Sequence, residues 1–245
     1  MFMPAAVTIR KLTKTYEIKR KKFEALKGID LDIEEGSFVT VVGKSGCGKT
    51  TLLRILCGLE DKTSGDLGLD PSKVSIVFQE PRLMPWLTVR QNMGFPLISA
   101  SDRLEAEMTV DKCLDMLGLQ GFRDAYPSQI SGGMAQRVAL GRTLCYDPKL
   151  ILMDEPLGAL DAFNRRKLQN DLVDIFLRYR KTIVFVTHDV EEAIYLGQKI
   201  VVMDEGKVLK ELPVEMPYPR DAKSREFIGL REDILSLILD KKGES

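Results

Sequence analysis

The sequence has few of the features that would indicate a metal centre, a disulfide framework or a membrane span. Its four cysteines (Cys47, Cys57, Cys113 and Cys145) form no C-x-x-C pair, so they indicate neither a zinc site nor a set of disulfides. It holds one histidine and one tryptophan. Its 36 basic residues balance 36 acidic ones, so no excess of charge attracts nucleic acid. No apolar run approaches the ~18 residues that a bilayer span requires.

The amino-terminal residues also lack the pattern of a secretory signal peptide. Charged residues occur in "MFMPAAVTIRKLTKTY" where such a peptide has its apolar core. Unpaired cysteines are typical of a reducing compartment. We therefore expect a cytoplasmic protein, and 245 residues are enough for one large domain with a substantial core.

Apolar strands alternate with helical segments along most of the chain. This alternation predicts an α/β fold with a mostly parallel sheet covered on both faces. The predicted strands of that sheet span residues 37–43, 73–80, 149–156 and 181–189. Partial alternation before residue 37 predicts shorter strands, and residues 199–212 have the pattern of a closing hairpin.

A helical block interrupts the pattern in the middle of the chain. Between residues 85 and 147 the apolar positions recur at about 3.6 residues, which predicts a helical subdomain inserted between two strands. We therefore expect one domain over residues 1–245. Its predicted core comprises residues 1–84 and 148–212, and an amphipathic tail follows over 213–245.

The stretch "GKSGCGKT" fits the pattern G-x-x-x-x-G-K-[ST] between a predicted strand and a predicted helix. Its glycines let successive backbone N–H groups converge on one anion, and the helix N-terminus favours negative charge at the same place. This loop therefore predicts a site for the phosphates of a nucleoside triphosphate. The predicted nucleotide-binding residues here are Gly43, Lys44, Ser45, Gly46, Cys47, Gly48, Lys49, Thr50 and Thr51. A thiol at this helix N-terminus can have a lowered pKa, so Cys47 is either a reactive or an inert cysteine.

Two adjacent carboxylates end the apolar strand "LILMDEP". Asp154 stands where it can hold a magnesium ion together with the Thr50 hydroxyl. Glu155 stands where a general base for an attacking water is needed. The pair predicts hydrolysis as well as binding.

A second anion site is predicted in "ISGGM", which precedes a helix. Ser131, Gly132 and Gly133 offer a hydroxyl and bare backbone N–H groups at a helix N-terminus. One nucleotide has no use for two such sites in one chain. A head-to-tail homodimer does, because each loop can then face the partner's Ser-Gly-Gly across a shared nucleotide.

On these motifs the chain resembles the nucleotide-binding subunits of ABC transporters, whose signature reads LSGGQ. Here Met134 replaces the glutamine, which removes a side-chain amide. The resemblance extends to about residue 212. It implies a P-loop NTPase core of the ABC ATPase type, an N-terminal antiparallel β subdomain and an inserted helical subdomain. It also implies ATP and Mg²⁺ as ligands.

Further landmarks of the family occur in the expected order. By resemblance, Tyr16 stacks on adenine, Asp161 crosses the dimer interface, and His188 contacts the γ-phosphate. Gln79 matches the residue that senses magnesium and couples to the membrane subunits. The implied metal ligands are therefore Thr50, Gln79 and Asp154.

The segment "EPRLMPWLTV" is similar to that of ATPase subunits of importers for nitrate, aliphatic sulfonates and taurine. The region from Gln79 to Leu87, with Trp86 as an apolar anchor, would contact the permease; packing within the helical subdomain is the alternative role for Trp86. A solute-binding protein would act indirectly, and the subunit would lie peripherally on the inner face of the membrane.

Other functions stay open at this point. An exporter or a lipoprotein-release ATPase is disfavoured only by the wording of that segment. A non-transport ABC ATPase would show tandem cassettes or a coiled coil. A nucleotide-binding regulator with little turnover would lack Glu155 or His188, and both are present.

Overall fold

A computed structural model describes residues 5–239 and places a six-stranded sheet at the centre of the chain. The order of its strands is β5-β6-β7-β3-β8-β9, and only β9 runs antiparallel to its neighbour. The strands are β3 (Phe38–Val42), β5 (Val74–Val77), β6 (Leu150–Asp154), β7 (Thr182–Thr187), β8 (Lys199–Asp204) and β9 (Lys207–Pro213). The predicted parallel sheet and closing hairpin are therefore confirmed.

A second, antiparallel sheet has the order β2-β1-β4. Its strands are β1 (Ala5–Ile18), β2 (Lys21–Glu34) and β4 (Ser64–Gly68). The sequence did not predict β4, because "SGDLG" is rich in residues that strands disfavour and only two of its five residues are partly buried. Its strand geometry comes from pairing with β1.

Seven α-helices surround the sheets in the described part of the chain. They are α1 (Lys49–Leu56), α2 (Val89–Gly94), α3 (Arg103–Met116), α4 (Gly132–Tyr146), α5 (Ala162–Tyr179), α6 (Val190–Leu196) and α7 (Arg225–Leu239). Short 3₁₀ turns occur at Pro71–Lys73, Phe95–Leu97, Gln120–Phe122 and Pro127–Gln129. None of these helices is both long and apolar enough to cross a membrane.

The central sheet is buried on both faces, and strand β3 shows how. Phe38 and Val42 pack into the core formed with α5, α6 and the helical subdomain. Val39 and Val41 pack on the opposite face, against the antiparallel sheet and α1. This arrangement explains why the strand reads as a continuous apolar run, and it confirms the predicted α/β fold with its β subdomain and helical insertion.

The segment after β9 crosses behind α6. Arg220 is buried, and its guanidinium donates hydrogen bonds to the carbonyls of Ile194 and Gly197 at the C-terminal end of α6. Helix α7 then packs on the same core through Phe227 and Ile234. The tail, as far as Leu239, is thus part of the fold and covers one side of the sheet.

Candidate functional site

The predicted phosphate-binding loop connects β3 to α1. Gly48 precedes α1 with φ of 104° and Gly46 has φ of 81°, and side chains rarely adopt either conformation. A Cβ at Gly43 would lie 2.1 Å from the carbonyl oxygen of Met203, so only glycine fits beside β8. Steric constraints therefore require glycine at these positions, where the chain turns tightly at the carboxyl end of the sheet.

The lysine of the motif is folded into the loop. Lys49 is 4% exposed, and its Nζ donates to the carbonyl oxygens of Gly43 at 2.8 Å and Lys44 at 3.0 Å. The ammonium group therefore sits inside the loop, at the N-terminus of α1. An anion bound there would meet a fixed positive charge and the helix dipole together.

The structure favours the inert role for Cys47. Its side chain is buried, and burial raises the pKa of the Cys47 thiol more than the nearby Lys49 cation lowers it. Of the two alternatives the inert cysteine fits the structure, and the lowered pKa that a helix N-terminus can cause is not found for this thiol. The physical reason is that this thiol points into the core beside the loop and not toward the solvent.

Oxygen atoms converge next to the loop. The Thr50 hydroxyl donates to Asp154 Oδ1 at 3.1 Å, and Gln79 lines the same cavity. Burial raises the pKa of the Asp154 carboxyl, and the neighbouring Glu155 charge raises it further. A hydroxyl, a carboxylate and an amide are hard ligands, and a cation would relieve the repulsion between the two acids. This donor set fits Mg²⁺.

Glu155 begins the turn after β6 in an unusual conformation. Its φ is 46°, its N–H donates to the Val186 carbonyl at 3.0 Å, and its Oε2 lies 3.0 Å from Nδ1 of His188. The His188 side chain is 59% exposed, whereas that of Glu155 is 23% exposed. The carboxylate is thus held between β6 and β7, next to an imidazole that faces the solvent.

A cavity of about 680 Å³ joins most of the predicted site residues. The predicted residues that line it are Tyr16, Ser45, Gly46, Gly48, Lys49, Thr50, Thr51, Gln79, Asp154 and Glu155. Gly43 and Cys47 are buried beneath the loop and Lys44 is exposed, and none of the three lines the cavity. His188 joins it only through Glu155.

The far end of this cavity is aromatic and basic. The Tyr16 hydroxyl donates to Glu60 at 2.5 Å, and burial together with this bond raises the pKa of the Tyr16 hydroxyl. Phe23, directly opposite Tyr16 on β2, lines the cavity with Arg54 and Arg82. Sequence reasoning missed these last three residues, because none belongs to a motif and only strand pairing brings Phe23 beside Tyr16.

The second predicted anion site lies elsewhere on the chain. Ser131 caps α4 by accepting a hydrogen bond from the Met134 N–H at 3.3 Å, and a Cβ at Gly132 would meet no atom within 4 Å. Met134 packs its side chain against the core, which is a use for a thioether that an amide would not serve. Ser131, Gly132, Gly133 and Asp161 do not line the phosphate-loop cavity.

Asp161 and the Ser-Gly-Gly turn meet at the start of α5. Asp161 caps α5 by accepting from the N–H groups of Phe163 and Asn164, and these bonds lower the pKa of its carboxyl. A Cβ at Gly133 would lie 3.3 Å from Asn164. The structure therefore gathers two predicted interface motifs on one surface, apart from the cavity.

Side chains from helices α2 and α4 hold the segment after Gln79 through hydrogen bonds to its backbone. Arg142 donates to the carbonyls of Pro81 and Arg82, and the buried Asn92 donates to those of Met84 and Leu87. Trp86 projects from this segment and is 71% exposed. The alternative that it packs inside the helical subdomain is therefore excluded.

The fold and this site together define a P-loop nucleotide-binding ATPase. Residues 26–158 match the ABC transporter family. The chain is 44% identical over 252 residues to an uncharacterized ABC transporter ATP-binding protein of Methanocaldococcus jannaschii, which covers 98% of this chain and 93% of that protein. It is 41% identical over 238 residues to an aliphatic sulfonates import ATP-binding protein of Bacillus cereus, which covers 94% of each.

A solved structure agrees with these sequence matches. The ATP-binding cassette MJ0796, described as a dimer in a post-hydrolysis state bound to ADP and Pi, has a TM-score of 0.77 and 34% identity; it covers 86% of this chain and 100% of that one. The chain belongs to the ABC transporter family, as an ATP-binding and ATP-hydrolysing cassette.

Proposed function

We propose that this chain powers the import of a small organic solute, of the aliphatic sulfonate class, through a separate permease. The observation that carries the import role is its 41% identity over 94% of its length to a protein named for aliphatic sulfonate import. The exposed Trp86 segment, which resembles that of nitrate, sulfonate and taurine importers, supports the same class.

In this proposal the phosphate loop and its lysine bind the triphosphate of ATP. Glu155 is the general base for the attacking water, and His188 holds the γ-phosphate end of the site. Their 3.0 Å contact supports a joint role, because the carboxylate orients the imidazole. Tyr16 stacks on the adenine, with Phe23 beside it.

Magnesium would be held by Thr50, Gln79 and Asp154. Bound Mg²⁺ supplies positive charge that offsets the charge of the phosphates. The shared cavity and the 3.1 Å contact between Thr50 and Asp154 support this ligand set.

The nucleotide would lie between two copies of the chain. Ser131, Gly132, Gly133 and Asp161 stand on a surface apart from the cavity, so a second copy is needed to bring such a surface to the nucleotide. Closure and reopening of this homodimer would then move the permease between its inward- and outward-facing states.

The permease would contact the segment from Gln79 to Leu87. Its rigid support by Arg142 and Asn92, and the projecting indole of Trp86, suit an anchor that enters a partner's groove. The subunit would lie peripherally on the inner face of the membrane, and a solute-binding protein would act through the permease. We also propose that residues 1–245 form one nucleotide-binding domain, with 85–147 as its helical subdomain.

A complementation experiment tests the shared site. Lys49→Ala disables the phosphate loop, and Gly132→Asp places a negative charge at the signature turn, where a side chain has open space. Each variant alone should be inactive. Mixed one to one and allowed to exchange, they should recover about a quarter of wild-type ATPase activity, since half of the dimers then hold one intact site of two.

The matched control is a mixture of Lys49→Ala with Thr50→Ala. Both changes lie in the phosphate loop, so no dimer of these two variants has an intact site. If the first mixture is no more active than this control, each site is built from a single chain and the proposed sandwich is wrong.

A further inference from the structure

A buried carboxylate that belongs to none of the sequence motifs lies behind the Glu155–His188 pair. Glu192, on the first turn of α6, is 6% exposed. Its Oε2 accepts a hydrogen bond from the Thr187 hydroxyl at 2.8 Å. Burial raises the pKa of the Glu192 carboxyl, although this bond and the nearby cation of Arg165 act in the opposite direction.

Hydrogen bonds connect Glu192 to both residues that flank His188 in the sequence. The Thr187 hydroxyl that donates to Glu192 accepts in turn from the N–H of Asp189 at 3.0 Å. The Asp189 side chain then accepts from the Glu192 N–H at 3.2 Å. Thr187 and Asp189 are the two neighbours of His188, so this closed ring of bonds sets the direction in which the imidazole projects.

The other carboxylate oxygen of Glu192 faces Arg165, which connects it to the loop before α5. Arg165 Nε lies 3.7 Å from Glu192 Oε1, and Arg165 Nη2 donates to the Leu160 carbonyl at 3.1 Å. Leu160 immediately precedes Asp161, the cap of α5. Within the described part of the chain the buried Arg165 Nε has no hydrogen-bond partner, so Glu192 is the anion that offsets its charge.

These groups surround one small cavity of about 40 Å³. Glu155, Gly158, His188 and Glu192 line it together with Arg165 and Thr187. Glu192 is therefore in the layer directly behind the reacting groups, while it does not line the larger nucleotide cavity.

We propose that Glu192 is a positioning residue for hydrolysis. It holds the His188 imidazole in contact with the Glu155 carboxylate, and its ion pair with Arg165 connects these two groups to the loop that ends at Asp161. This inference rests on the roles proposed above for Glu155 and His188. A buried charge is expensive to maintain, and a purely structural position would be filled more stably by an apolar side chain. A carboxylate is needed here if one oxygen must bind Thr187 and the other must pair with Arg165, so that the loop at His188 and the loop before α5 are positioned together.

Glu192→Gln tests this role with little change in shape. The amide oxygen can still accept from Thr187, but the charge toward Arg165 is lost. We expect kcat to fall about tenfold to a hundredfold, as for a small misplacement of a reacting group, while KM for ATP stays within about twofold. The melting temperature should fall, because the Arg165 guanidinium loses the anion that offsets its charge.

Glu191→Gln is the matched control. Glu191 is the adjacent residue, carries the same charge, and its side chain pairs with Arg231 on the outer surface. This variant should keep wild-type kcat and KM. Arg165→Met should lower kcat as Glu192→Gln does, and the double variant should be no slower than the slower single one.

The only histidine of the chain supplies a readout that does not depend on turnover. In protein prepared without a histidine tag, the imidazole resonances in NMR spectra report His188 alone. They should be displaced in Glu192→Gln and unchanged in Glu191→Gln. A Glu192→Gln protein with wild-type kcat and wild-type imidazole resonances would overturn the inference.

Failure of this inference can be told from failure of the proposed function. If His188→Ala hydrolyses ATP at the wild-type rate, the role proposed for His188 is wrong, and the positioning role of Glu192 is overturned with it. If His188→Ala is inactive while Glu192→Gln is normal in rate and spectrum, only the role of Glu192 is overturned.

Discussion

Replacing Glu155 by Gln separates hydrolysis from binding and from folding. The residue adopts φ of 46°, and glutamine meets the same backbone cost there as glutamate. Its N–H bond to Val186 is a backbone bond and is kept, and its amide can still contact His188. The folded protein should therefore lose little stability, so any loss of turnover belongs to the missing base.

The expected magnitude follows from what the carboxylate does. A positioned general base typically contributes about 10²- to 10⁴-fold to a rate. At about 1.4 kcal/mol for each factor of ten, Glu155→Gln should raise the barrier by about 3–6 kcal/mol. KM for ATP should change little, because the phosphate loop and Lys49 are untouched.

Phosphate release at saturating Mg·ATP measures the rate, and light scattering after size exclusion measures the assembly. The variant should form a long-lived dimer with Mg·ATP and remain monomeric with ADP. Turnover above a tenth of the wild-type rate would show that Glu155 is not the base. A variant that is inactive but always monomeric would refute the shared nucleotide.

Further outcomes are expected at four other positions. Lys49→Ala should abolish ATPase activity, measured by phosphate release, because the buried ammonium inside the loop is lost. Trp86→Ala should keep the ATPase rate of the isolated protein but reduce its co-purification with the permease; equal recovery would remove the indole from that contact. Asp154→Asn should raise the melting temperature of the metal-free protein near neutral pH. The raised pKa of Asp154 means that ionising it in the folded state costs stability, and this difference from wild type should vanish as the pH falls through the ordinary carboxyl pKa of about 4. Gly43→Ala should unfold at a clearly lower temperature, because its Cβ would overlap the backbone of β8.

Local patterns in the sequence were enough to predict the phosphate loop and the two acids at the end of β6. In both cases the residues are consecutive, and the strand or helix beside them is strongly apolar or periodic. The Ser-Gly-Gly turn is of the same kind, because its cap and helix are encoded within a few residues. Helix α4 accordingly begins directly after Ser131, where the sequence predicts a helix N-terminus.

Features that depend on pairing between distant segments could not be predicted. The register between β1 and β2 shifts at several irregular positions, so no count along the sequence would bring Phe23 opposite Tyr16. Arg54 and Arg82 enter the nucleotide cavity from a helix and a loop, respectively. The sequence analysis missed strand β4 for a different reason. Its composition is that of a turn, and pairing with β1 imposes its extended conformation.

The buried guanidinium of Arg220 has a consequence for where the working unit of this protein ends. Its hydrogen bonds hold the C-terminal end of α6, the short helix that begins two residues after His188. A segment that follows β9 therefore stabilises the position of this helix. A chain truncated after Leu212 would keep every nucleotide-binding motif yet leave that helix loose. Hybrids assembled from two related cassettes should therefore inherit the tail and the histidine loop from the same parent.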